Sequence, residues 1–427
     1  MNTCAFYTLG CKVNQYETQS IRESFVKAGY QEVRFAEPAD VYVINTCTVT
    51  AKTDKESRRL IREVHRRSPL AQLVVTGCYS ELDGDEIRNI PGVQFIVKNR
   101  DKDKIVDIIN SKKVPYGYQA DETYLPLAIS DFKDRTKAFL KIQDGCNNFC
   151  SYCKIPFVRG RSKSRDVQSA IKETERLISK GFKELILTGI CLGAWGEDLS
   201  PRSNLTELLE QLIELNGDFR IRLSSIEPKY VDTRLVGLIK SSPKLCRHLH
   251  IPLQSGDDRI LKMMNRPYAA RTYIDIIETV RTEIPEMSIT TDILIGFPGE
   301  TEANFRNTFR LIEKVRPSRI HVFPYSKREG TAAADLEQGM PKDIVKRRMN
   351  RIKGLALRMS YKYRKNFLQK ETKVLVEHER DRATGLLKGY DDKYIKILLK
   401  GPDDYRARIM SVKIKKIDKE RTFGEVL

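Results

Sequence analysis

The sequence predicts an α/β protein of several domains: a parallel α/β sheet domain at the N-terminus, a partial (βα)6 barrel in the centre and a small antiparallel β-barrel at the C-terminus. Three observations support this fold class. Apolar, strand-like runs alternate with helical patterns near the N-terminus, which is typical of a parallel sheet. Six more strand and helix units follow, enough for a partial barrel. The pattern then changes to short strands bounded by glycine turns, which indicates a small barrel.

Length and charge limit the class of protein further. The chain has 427 residues and a formal net charge of +19. This excess predicts a polyanionic partner, first of all a nucleic acid, although a basic surface that only keeps the protein soluble is the alternative. No apolar run approaches the ~20 residues that span a bilayer, and the N-terminus lacks the basic and apolar regions of a signal peptide. We therefore expect a cytoplasmic protein without a membrane partner.

Strands of the predicted N-terminal domain, residues 1–120, lead to cysteines. Cys11, Cys47 and Cys78 each lie just past the carboxyl end of a strand-like run. Ligands of a parallel sheet collect outside the carboxyl ends of its strands, so the three thiols can converge and bind an iron–sulfur cluster with one open iron. The alternative is three buried cysteines that act as small apolar residues.

Changes of pattern mark the other domains. Prolines and polar residues predict a linker over residues 121–135. The six strand and helix units of the central domain occupy residues 136–365. Residues 366–427 hold the short strands, and their basic residues are interleaved with Tyr390, Tyr394 and Tyr405. Basic and aromatic side chains in this arrangement suit an RNA-binding face.

The most informative motif is the loop of Cys146, Cys150 and Cys153, whose spacing is C-x3-C-x2-C with Tyr152 before the third cysteine. Three thiolates on one short loop can hold three irons of a [4Fe-4S] cluster, and the fourth iron is then free to bind a substrate. A structural zinc site is the alternative. Zinc normally takes four ligands, often as two separated pairs, and no other Cys or His is near this triplet in sequence.

This spacing resembles that of the radical S-adenosylmethionine (SAM) enzymes, and the whole chain is similar to one branch of them, the methylthiotransferases. The N-terminal match is carried by the segments LGCKVNQYET, NTCTVT and TGCY at residues 9–18, 45–50 and 76–79. The resemblance implies two [4Fe-4S] clusters and two SAM molecules per turnover, one as methyl donor and one as radical source. It also implies that one cluster cleaves SAM and that the other holds the sulfur. The predicted catalytic and metal-binding residues are Cys11, Cys47, Cys78, Cys146, Cys150 and Cys153.

Candidate contacts to SAM lie where the strands of the predicted barrel end, because the chemistry of such barrels is found at the carboxyl ends of strands. A glycine lets backbone approach a ligand, a carboxylate can accept from ribose hydroxyls or an ammonium group, and aromatic rings can stack on adenine. The alternative for each residue is a role in a turn or in the core. The predicted cofactor-binding residues are Tyr152, Thr188, Gly189, Glu227, Gln254, Ile295, Gly296 and Phe323.

Two further residues near these ends have open roles. Arg159 follows the cysteine loop and is a candidate contact to phosphate, to the SAM carboxylate or to substrate, with exposed charge as the alternative. Cys191 lies at a strand end that faces the expected site. We expect it to be a bystander, with a redox or ligand role as the alternative.

The resemblance extends to the C-terminal domain and to function. That domain resembles the TRAM domain, a barrel of the oligonucleotide-binding (OB) type. Residues 9–18 resemble the branch of the family that converts N6-threonylcarbamoyladenosine beside the anticodon of tRNA into its 2-methylthio derivative. The expected partners are the tRNA anticodon stem-loop, SAM and an electron donor protein, and the expected state is a monomer. The alternatives are methylthiolation of N6-isopentenyladenosine, insertion of sulfur without methylation, and a non-catalytic iron–sulfur RNA-binding protein.

Overall fold

The N-terminal part of the protein is a parallel sheet covered by helices. A computed structural model describes residues 2–82, 84–112, 123–132, 135–336 and 339–427. The strands of this part are β1 (Thr3–Thr8), β2 (Gln31–Glu32), β3 (Val41–Thr46), β4 (Gln72–Gly77) and β5 (Val93–Ile96), and its helices are α1 (Lys12–Lys27), α2 (Ala51–Arg67), α3 (Cys78–Leu82), α4 (Gly84–Arg88) and α5 (Ile105–Ser111). The strands are parallel and pair in the order β2-β1-β3-β4-β5.

Both faces of this sheet are buried, which explains why its central strands are apolar along their whole length. Successive side chains of a strand point to opposite faces. Val41 and Val43 therefore pack with α1 and α5 on one face, whereas Tyr42 and Ile44 pack with α2 on the other. The three predicted strands are present, but β2 and β5 were missed because they are short and only partly buried.

The strand order creates a crevice at the carboxyl edge of the sheet. The chain goes from β1 to β2 on one side of β1, and then crosses to β3 on its other side. In open parallel sheets ligands bind at such a switch point, outside the carboxyl ends of the strands. Cys11 follows β1, Cys47 follows β3 and Cys78 follows β4. All three cysteines therefore lie along the edge where a ligand is expected.

The central part is an open parallel barrel, as predicted. The strands of this part are β6 (Ala138–Lys141), β7 (Gln143–Asp144), β8 (Lys163–Ser164), β9 (Glu184–Thr188), β10 (Arg220–Leu223), β11 (His248–His250), β12 (Ser288–Ile295) and β13 (Arg319–Pro324). Six of them belong to the parallel barrel, whereas β7 and β8 form a separate antiparallel pair. The helices of this part are α6 (Ile155–Arg159), α7 (Val167–Ser179), α8 (Leu205–Glu214), α9 (Thr233–Ser241), α10 (Asp258–Met263), α11 (Ala270–Glu283) and α12 (Glu302–Val315). The sheets β10-β9-β6 and β11-β12-β13 are joined by single parallel bridges, Ile221 to Leu245 and Ser225 to His250.

One predicted strand of the barrel is shorter than expected. The apolar run over residues 248–256 indicates a long strand, but β11 covers only its first three residues. Pro252 has no N–H to give to a ladder, and Gln254 has a left-handed φ of 64°. Beyond β11, the run joins β12 through the Ile251 N–H, which donates to the Thr290 carbonyl at 2.9 Å, and through a bridge from Gln254 to Ile293.

The described part of the predicted linker, residues 123–132, packs against the barrel. Leu127, Ile129 and Phe132 are buried in the central core. The Tyr16 hydroxyl of α1 lies 2.7 Å from the Leu127 carbonyl oxygen and 2.8 Å from the Glu173 carboxylate on α7, and it donates its one proton to either of these acceptors. This segment therefore contacts both the N-terminal sheet domain and the barrel.

The C-terminal part is a small closed barrel that follows a long basic helix. The helix is α13 (Lys342–Lys365), and the strands are β14 (Glu371–Arg380), β15 (Leu387–Tyr390), β16 (Lys396–Leu399), β17 (Ile409–Ile417) and β18 (Thr422–Val426). The strands close in the order β14-β15-β16-β18-β17, so no edge strand is left free to pair with another chain. Among the residues described, no helix has the length and apolar character needed to cross a bilayer.

The C-terminal barrel is joined to the base of the central barrel by buried arginines. Glu184 on β9 accepts from Arg220 at 2.7 Å and from Arg222 at 2.8 Å. The remaining N–H groups of these two arginines donate to backbone carbonyls of the C-terminal barrel, at Lys373, Tyr390, Asp391 and Asp392.

Two tyrosines predicted to face RNA lie in this joint instead. The Lys137 ammonium is 4.0 Å from the centre of the Tyr390 ring, and the Arg222 guanidinium is 4.6 Å from the centre of the Tyr394 ring. The two rings stack at 5.0 Å. Tyr405 packs against the core of the C-terminal barrel. The sequence pattern predicted that these tyrosines and their basic neighbours face RNA, whereas Tyr390 and Tyr394 pack against cations of the central barrel.

Candidate active site between two cysteine triads

The first triad, Cys11, Cys47 and Cys78, is drawn together by a glycine. Gly10 has φ of 100°, and a Cβ at this position would lie 2.7 Å from Cys47 Cβ and 2.8 Å from its Sγ. Only a glycine can therefore hold the loop before Cys11 so close to Cys47. Burial, together with the nearby Cys78 and Cys11 thiols, raises the pKa of the Cys47 thiol to about 12. The three sulfurs are thus near enough to act on one another.

The second triad, Cys146, Cys150 and Cys153, is on a loop whose shape is fixed by its backbone. The Cys146 N–H donates to the Gly160 carbonyl at 3.1 Å, and the Cys153 N–H donates to the Cys150 carbonyl at 2.9 Å. Ser151 anchors the loop to the end of α10, because its N–H donates to the Met264 carbonyl at 3.0 Å. These backbone hydrogen bonds fix the course of the loop that carries the three cysteines.

A buried arginine lies beside this second triad. Arg266 donates from one terminal nitrogen to Cys150 Sγ at 3.3 Å and to Glu227 Oε1 at 3.2 Å, and from the other to Glu227 Oε2. Glu227, which we predicted as a SAM contact, thus has both oxygens engaged by a guanidinium. The carboxylate holds Arg266 against the sulfur, a positioning role that the sequence did not indicate.

Thr188 and Gly189 lie at the end of β9, next to Gln143. A Cβ on Gly189 would lie 2.8 Å from the Gln143 Oε1 atom, so the glycine permits this close approach. The same oxygen accepts from the Cys191 N–H at 2.8 Å, while the Gln143 amide donates to the Gly145 carbonyl at 2.8 Å. Gln143 therefore ties the end of β9 to the cysteine loop.

Cys191 is buried beside the second triad. The Asn148 side-chain amide donates to Cys191 Sγ at 3.7 Å, and the Asn148 N–H donates to Cys146 Sγ at 3.4 Å. A hydrogen bond from Cys191 lowers the pKa of Cys146 to about 7. Cys191 is therefore a neighbour of the triad.

The other predicted SAM contacts follow the edge of β11, β12 and β13. Gln254 bridges to β12, Ile295 is its buried last residue, and Gly296 follows it. Phe323 is 44% exposed and its ring lies 6.4 Å from that of His321. Tyr152 packs edge-on against Phe297 at 6.4 Å. A cavity of about 530 Å³ opens at this edge, lined by residues that include Gly296, Pro298, Pro324, Tyr325 and Val345.

A buried ionic network joins the two triads. Glu17 of α1 accepts from Lys141 at 2.8 Å and from Arg159 at 2.8 Å, and it also pairs with Lys102. Burial alone would raise the pKa of Glu17, but Arg159, Lys102 and Lys141 lower it well below its usual range. Arg159 also donates from Nε to Cys78 Sγ at 3.2 Å. The residue predicted to touch phosphate, SAM or substrate thus contacts the first triad.

A second buried ion pair joins the same two parts of the molecule. Arg328, after β13, donates to Asp54 Oδ2 and to the Thr48 hydroxyl, each at 2.5 Å. Thr48 directly follows Cys47 in sequence. The pair therefore holds the Cys47 turn against the rim of the barrel.

The residues present fit iron–sulfur clusters. Each triad offers three thiols together with N–H donors aimed at a sulfur, from Arg159 in one case and from Arg266 and Asn148 in the other. Hydrogen bonds to the sulfurs are what tunes such clusters. Across the described ranges, no three His, Cys, Asp or Glu side chains could hold a single metal ion. A cluster is larger than one ion and spaces its thiolates more widely, so the donors favour a cluster over zinc.

An open parallel barrel with a three-cysteine loop at its mouth defines a radical SAM enzyme. Residues 140–312 match the Radical SAM superfamily, and residues 3–98 match the Uncharacterized protein family UPF0004. The radical S-adenosylmethionine methyltransferase TsrM from Kitasatospora setae has a similar fold, with a TM-score of 0.58, 14% identity and coverage of 78% of this chain and 77% of that one.

Sequence relatives make the family more specific. The threonylcarbamoyladenosine tRNA methylthiotransferase MtaB of Bacillus subtilis (strain 168) is 39% identical, over 97% of this chain and 94% of that protein. MtaB of Thermotoga maritima is also 39% identical, over 98% and 96%. The tRNA-2-methylthio-N(6)-dimethylallyladenosine synthase of Clostridium tetani is 33% identical, over 96% and 93%. The chain belongs to the MtaB-type radical SAM tRNA methylthiotransferases.

Membership of this family settles the general activity. The protein is an enzyme that methylthiolates tRNA with SAM and a [4Fe-4S] cluster. The enzyme interpretation of the sequence is confirmed, and a non-catalytic iron–sulfur protein is excluded.

Proposed function

We propose that the enzyme converts N6-threonylcarbamoyladenosine, beside the anticodon of tRNA, into its 2-methylthio derivative, with one [4Fe-4S] cluster on each cysteine triad. The contact of Arg159 with Cys78 at 3.2 Å carries the two-cluster proposal. Arg159 ends α6, directly after the loop of the second triad, so one side chain spans the distance between the triads. Sulfur held at the first triad is thereby close to SAM bound at the second.

Lys12 supports the choice of substrate. Lys12 directly follows Cys11 and is half-buried. Its ammonium group makes no hydrogen bond or ion pair with the residues that the structure describes. Burial lowers its pKa, whereas Cys11 and Asp292 raise it. The threonylcarbamoyl group carries a carboxylate and the isopentenyl group carries no charge. A carboxylate beside Cys11 would give this ammonium group a partner.

The relatives point the same way. Those named for threonylcarbamoyladenosine reach 39% identity, whereas those named for dimethylallyladenosine reach 33%. The excess of basic residues supports tRNA as the partner, because Lys and Arg neutralise phosphates.

The protein would contribute to this chemistry by holding the cluster ligands and the substrate in position. When bound, the clusters supply the electron that cleaves SAM and the site that carries the sulfur. Arg266 holds Cys150, and Arg159 holds Cys78, each from a side chain fixed by a carboxylate. Lys12 orients the threonyl carboxylate so that the adenine faces the first triad. The network around Glu17 is itself buried, so its charges are little screened by solvent.

The test is product analysis under anaerobic conditions. Protein reconstituted with iron and sulfide is mixed with SAM, a reductant and tRNA that bears threonylcarbamoyladenosine, and the digested nucleosides are weighed by mass spectrometry. We expect the methylthio derivative of that nucleoside and 5′-deoxyadenosine. The matched substrate is tRNA that bears isopentenyladenosine. A methylthio product from that tRNA alone would overturn the substrate, and a thiolated product without the methyl group would overturn the reaction.

A further inference from the structure

Arg159 has an unusual set of partners for a buried arginine. Its Nε donates to Cys78 Sγ at 3.2 Å, one terminal nitrogen donates to Asn14 Oδ1 at 2.6 Å, and the other donates to Glu17 at 2.8 Å and to Asp144 at 3.0 Å. Its side chain is only 1% exposed. Each nitrogen of the guanidinium therefore donates a hydrogen bond, and one of these hydrogen bonds goes to a sulfur.

The charges around Arg159 do not balance without that sulfur. Three cations, Lys102, Lys141 and Arg159, share two carboxylates, Glu17 and Asp144. Each of the five residues has a side chain no more than 16% exposed, so solvent screens them little. Surplus positive charge in a buried network is costly unless an anion is near. The Cys78 thiolate, as a cluster ligand, is the anion in contact with this network.

We propose that Arg159 is a positioning residue for the cluster at the first triad, Cys11, Cys47 and Cys78. Its Nε–H holds the Cys78 sulfur, and its charge makes that cluster easier to reduce. This inference rests on the proposed cluster at that triad. Reduction adds negative charge, which a nearby cation and a hydrogen bond to sulfur both stabilise. The same guanidinium holds Asp144, two residues before Cys146, so the setting of one cluster is tied to the position of the loop that holds the other.

The experiment isolates the cluster at the first triad by removing the cysteines of the second triad. The full chain carrying C146A, C150A and C153A is reconstituted with iron and sulfide, its iron is counted, and its reduction is followed by electron paramagnetic resonance during a redox titration. Arg159→Gln and Arg159→Lys are then added separately. We expect the midpoint potential to fall in both, further in Arg159→Gln, because lysine keeps the charge but cannot reach all four partners at once.

Arg165→Lys is the matched control, because Arg165 is as deeply buried and pairs with Glu173 but touches no cysteine. We expect its potential to equal that of the parent. Arg159→Lys keeps the cation in the network, so it decides the matter if Arg159→Gln fails to fold. A normal iron content with an unchanged potential in Arg159→Lys, or an equal fall in Arg165→Lys, would overturn the role of Arg159 alone. If the parent protein binds no cluster, the proposal of a cluster at the first triad is overturned, and this inference with it.

Discussion

At the scale of single residues, each cysteine triad has one arginine that contacts a sulfur. Arg159 contacts Cys78 and Arg266 contacts Cys150, and carboxylates hold both guanidinium groups in place. An arginine fixed by a carboxylate presents its remaining N–H groups in a defined direction. With a cluster on each triad, as we propose, this arrangement would let the protein adjust the two clusters separately.

The two triads can be separated by substitution. Changing any of Cys146, Cys150 or Cys153 to Ala should reduce SAM cleavage to background, because three thiolates are needed to leave one iron open. Changing Cys11, Cys47 or Cys78 to Ala should abolish the methylthio product but leave some 5′-deoxyadenosine. Chromatography of both products measures this, with Cys246→Ala, another buried cysteine, as control. Equal loss of cleavage in both sets would contradict the division of labour.

Lys12 offers a prediction about specificity. Replacing Lys12 by Met removes the ammonium group but keeps a similar length. We expect kcat/KM for threonylcarbamoyladenosine tRNA to fall ~10-fold or more, as expected for one lost interaction with a charged group. SAM cleavage without tRNA should be unchanged. Lys27→Met, at the exposed end of the same helix, is the control, and an equal effect there would argue against recognition by Lys12.

Asp391 predicts a pH dependence of stability. Burial, with Asp392 nearby, raises the pKa of this carboxyl group to about 6. The folded protein thus binds this proton more tightly than the unfolded chain, so the contribution of Asp391 to stability is fully present below pH ~4 and is lost as the pH rises through about 6. Asp391→Asn should remove up to ~3 kcal/mol of that loss at pH 7. Thermal unfolding of both proteins at pH 5 and pH 7 measures the difference, which should vanish at low pH.

At the scale of elements, the ion pair between Arg328 and Asp54 joins α2 to the segment after β13. Both side chains are about nine-tenths buried. Arg328→Ala leaves the Asp54 carboxylate without its cation and should lower the free energy of unfolding by about 3 kcal/mol or more. Arg59→Ala is the control, because Arg59 forms ion pairs with Glu56 and Glu63 at an exposed position and should cost less than ~1 kcal/mol. Denaturant unfolding compares them, and equal losses would contradict the argument.

Prediction from sequence worked best for elements with a strong local signal. β3 and β4 are continuous apolar runs, and the cysteines that follow them lie where parallel topology requires. β11 was wrong in length, because a proline and a left-handed glutamine interrupt an apolar run. Glu17 and Lys141 were not anticipated as partners, because only the packing of α1 on β6 brings two residues 124 positions apart into contact. Arg159 was expected to contact phosphate, SAM or substrate, and its contacts with Cys78 and Glu17 were not anticipated because they depend on how the N-terminal part docks.

At the scale of the whole molecule, the net charge of +19 predicts that tRNA binding weakens steeply with salt. Lys416 and Lys419 are exposed on the C-terminal barrel. Changing both to Gln should reduce the slope of log K against log salt by about 1 to 2, if each contacts a phosphate. Lys172 on α7 and Lys180 directly after that helix are both exposed; they form the matched control pair and should leave the slope unchanged. Equal slopes in both double variants would contradict RNA binding by the C-terminal barrel.

The joint at the base of the central barrel also fixes the position of the C-terminal barrel relative to the reacting centre. Arg220 and Arg222 bind the backbone of the C-terminal barrel directly to β10. The opposite end of this strand lies toward the cysteine loop. An RNA gripped by the outer barrel would then meet the reacting centre at a set separation. The nucleotide to be modified would then be selected by its distance from the phosphates bound to the C-terminal barrel, and no contacts to the intervening bases would be required.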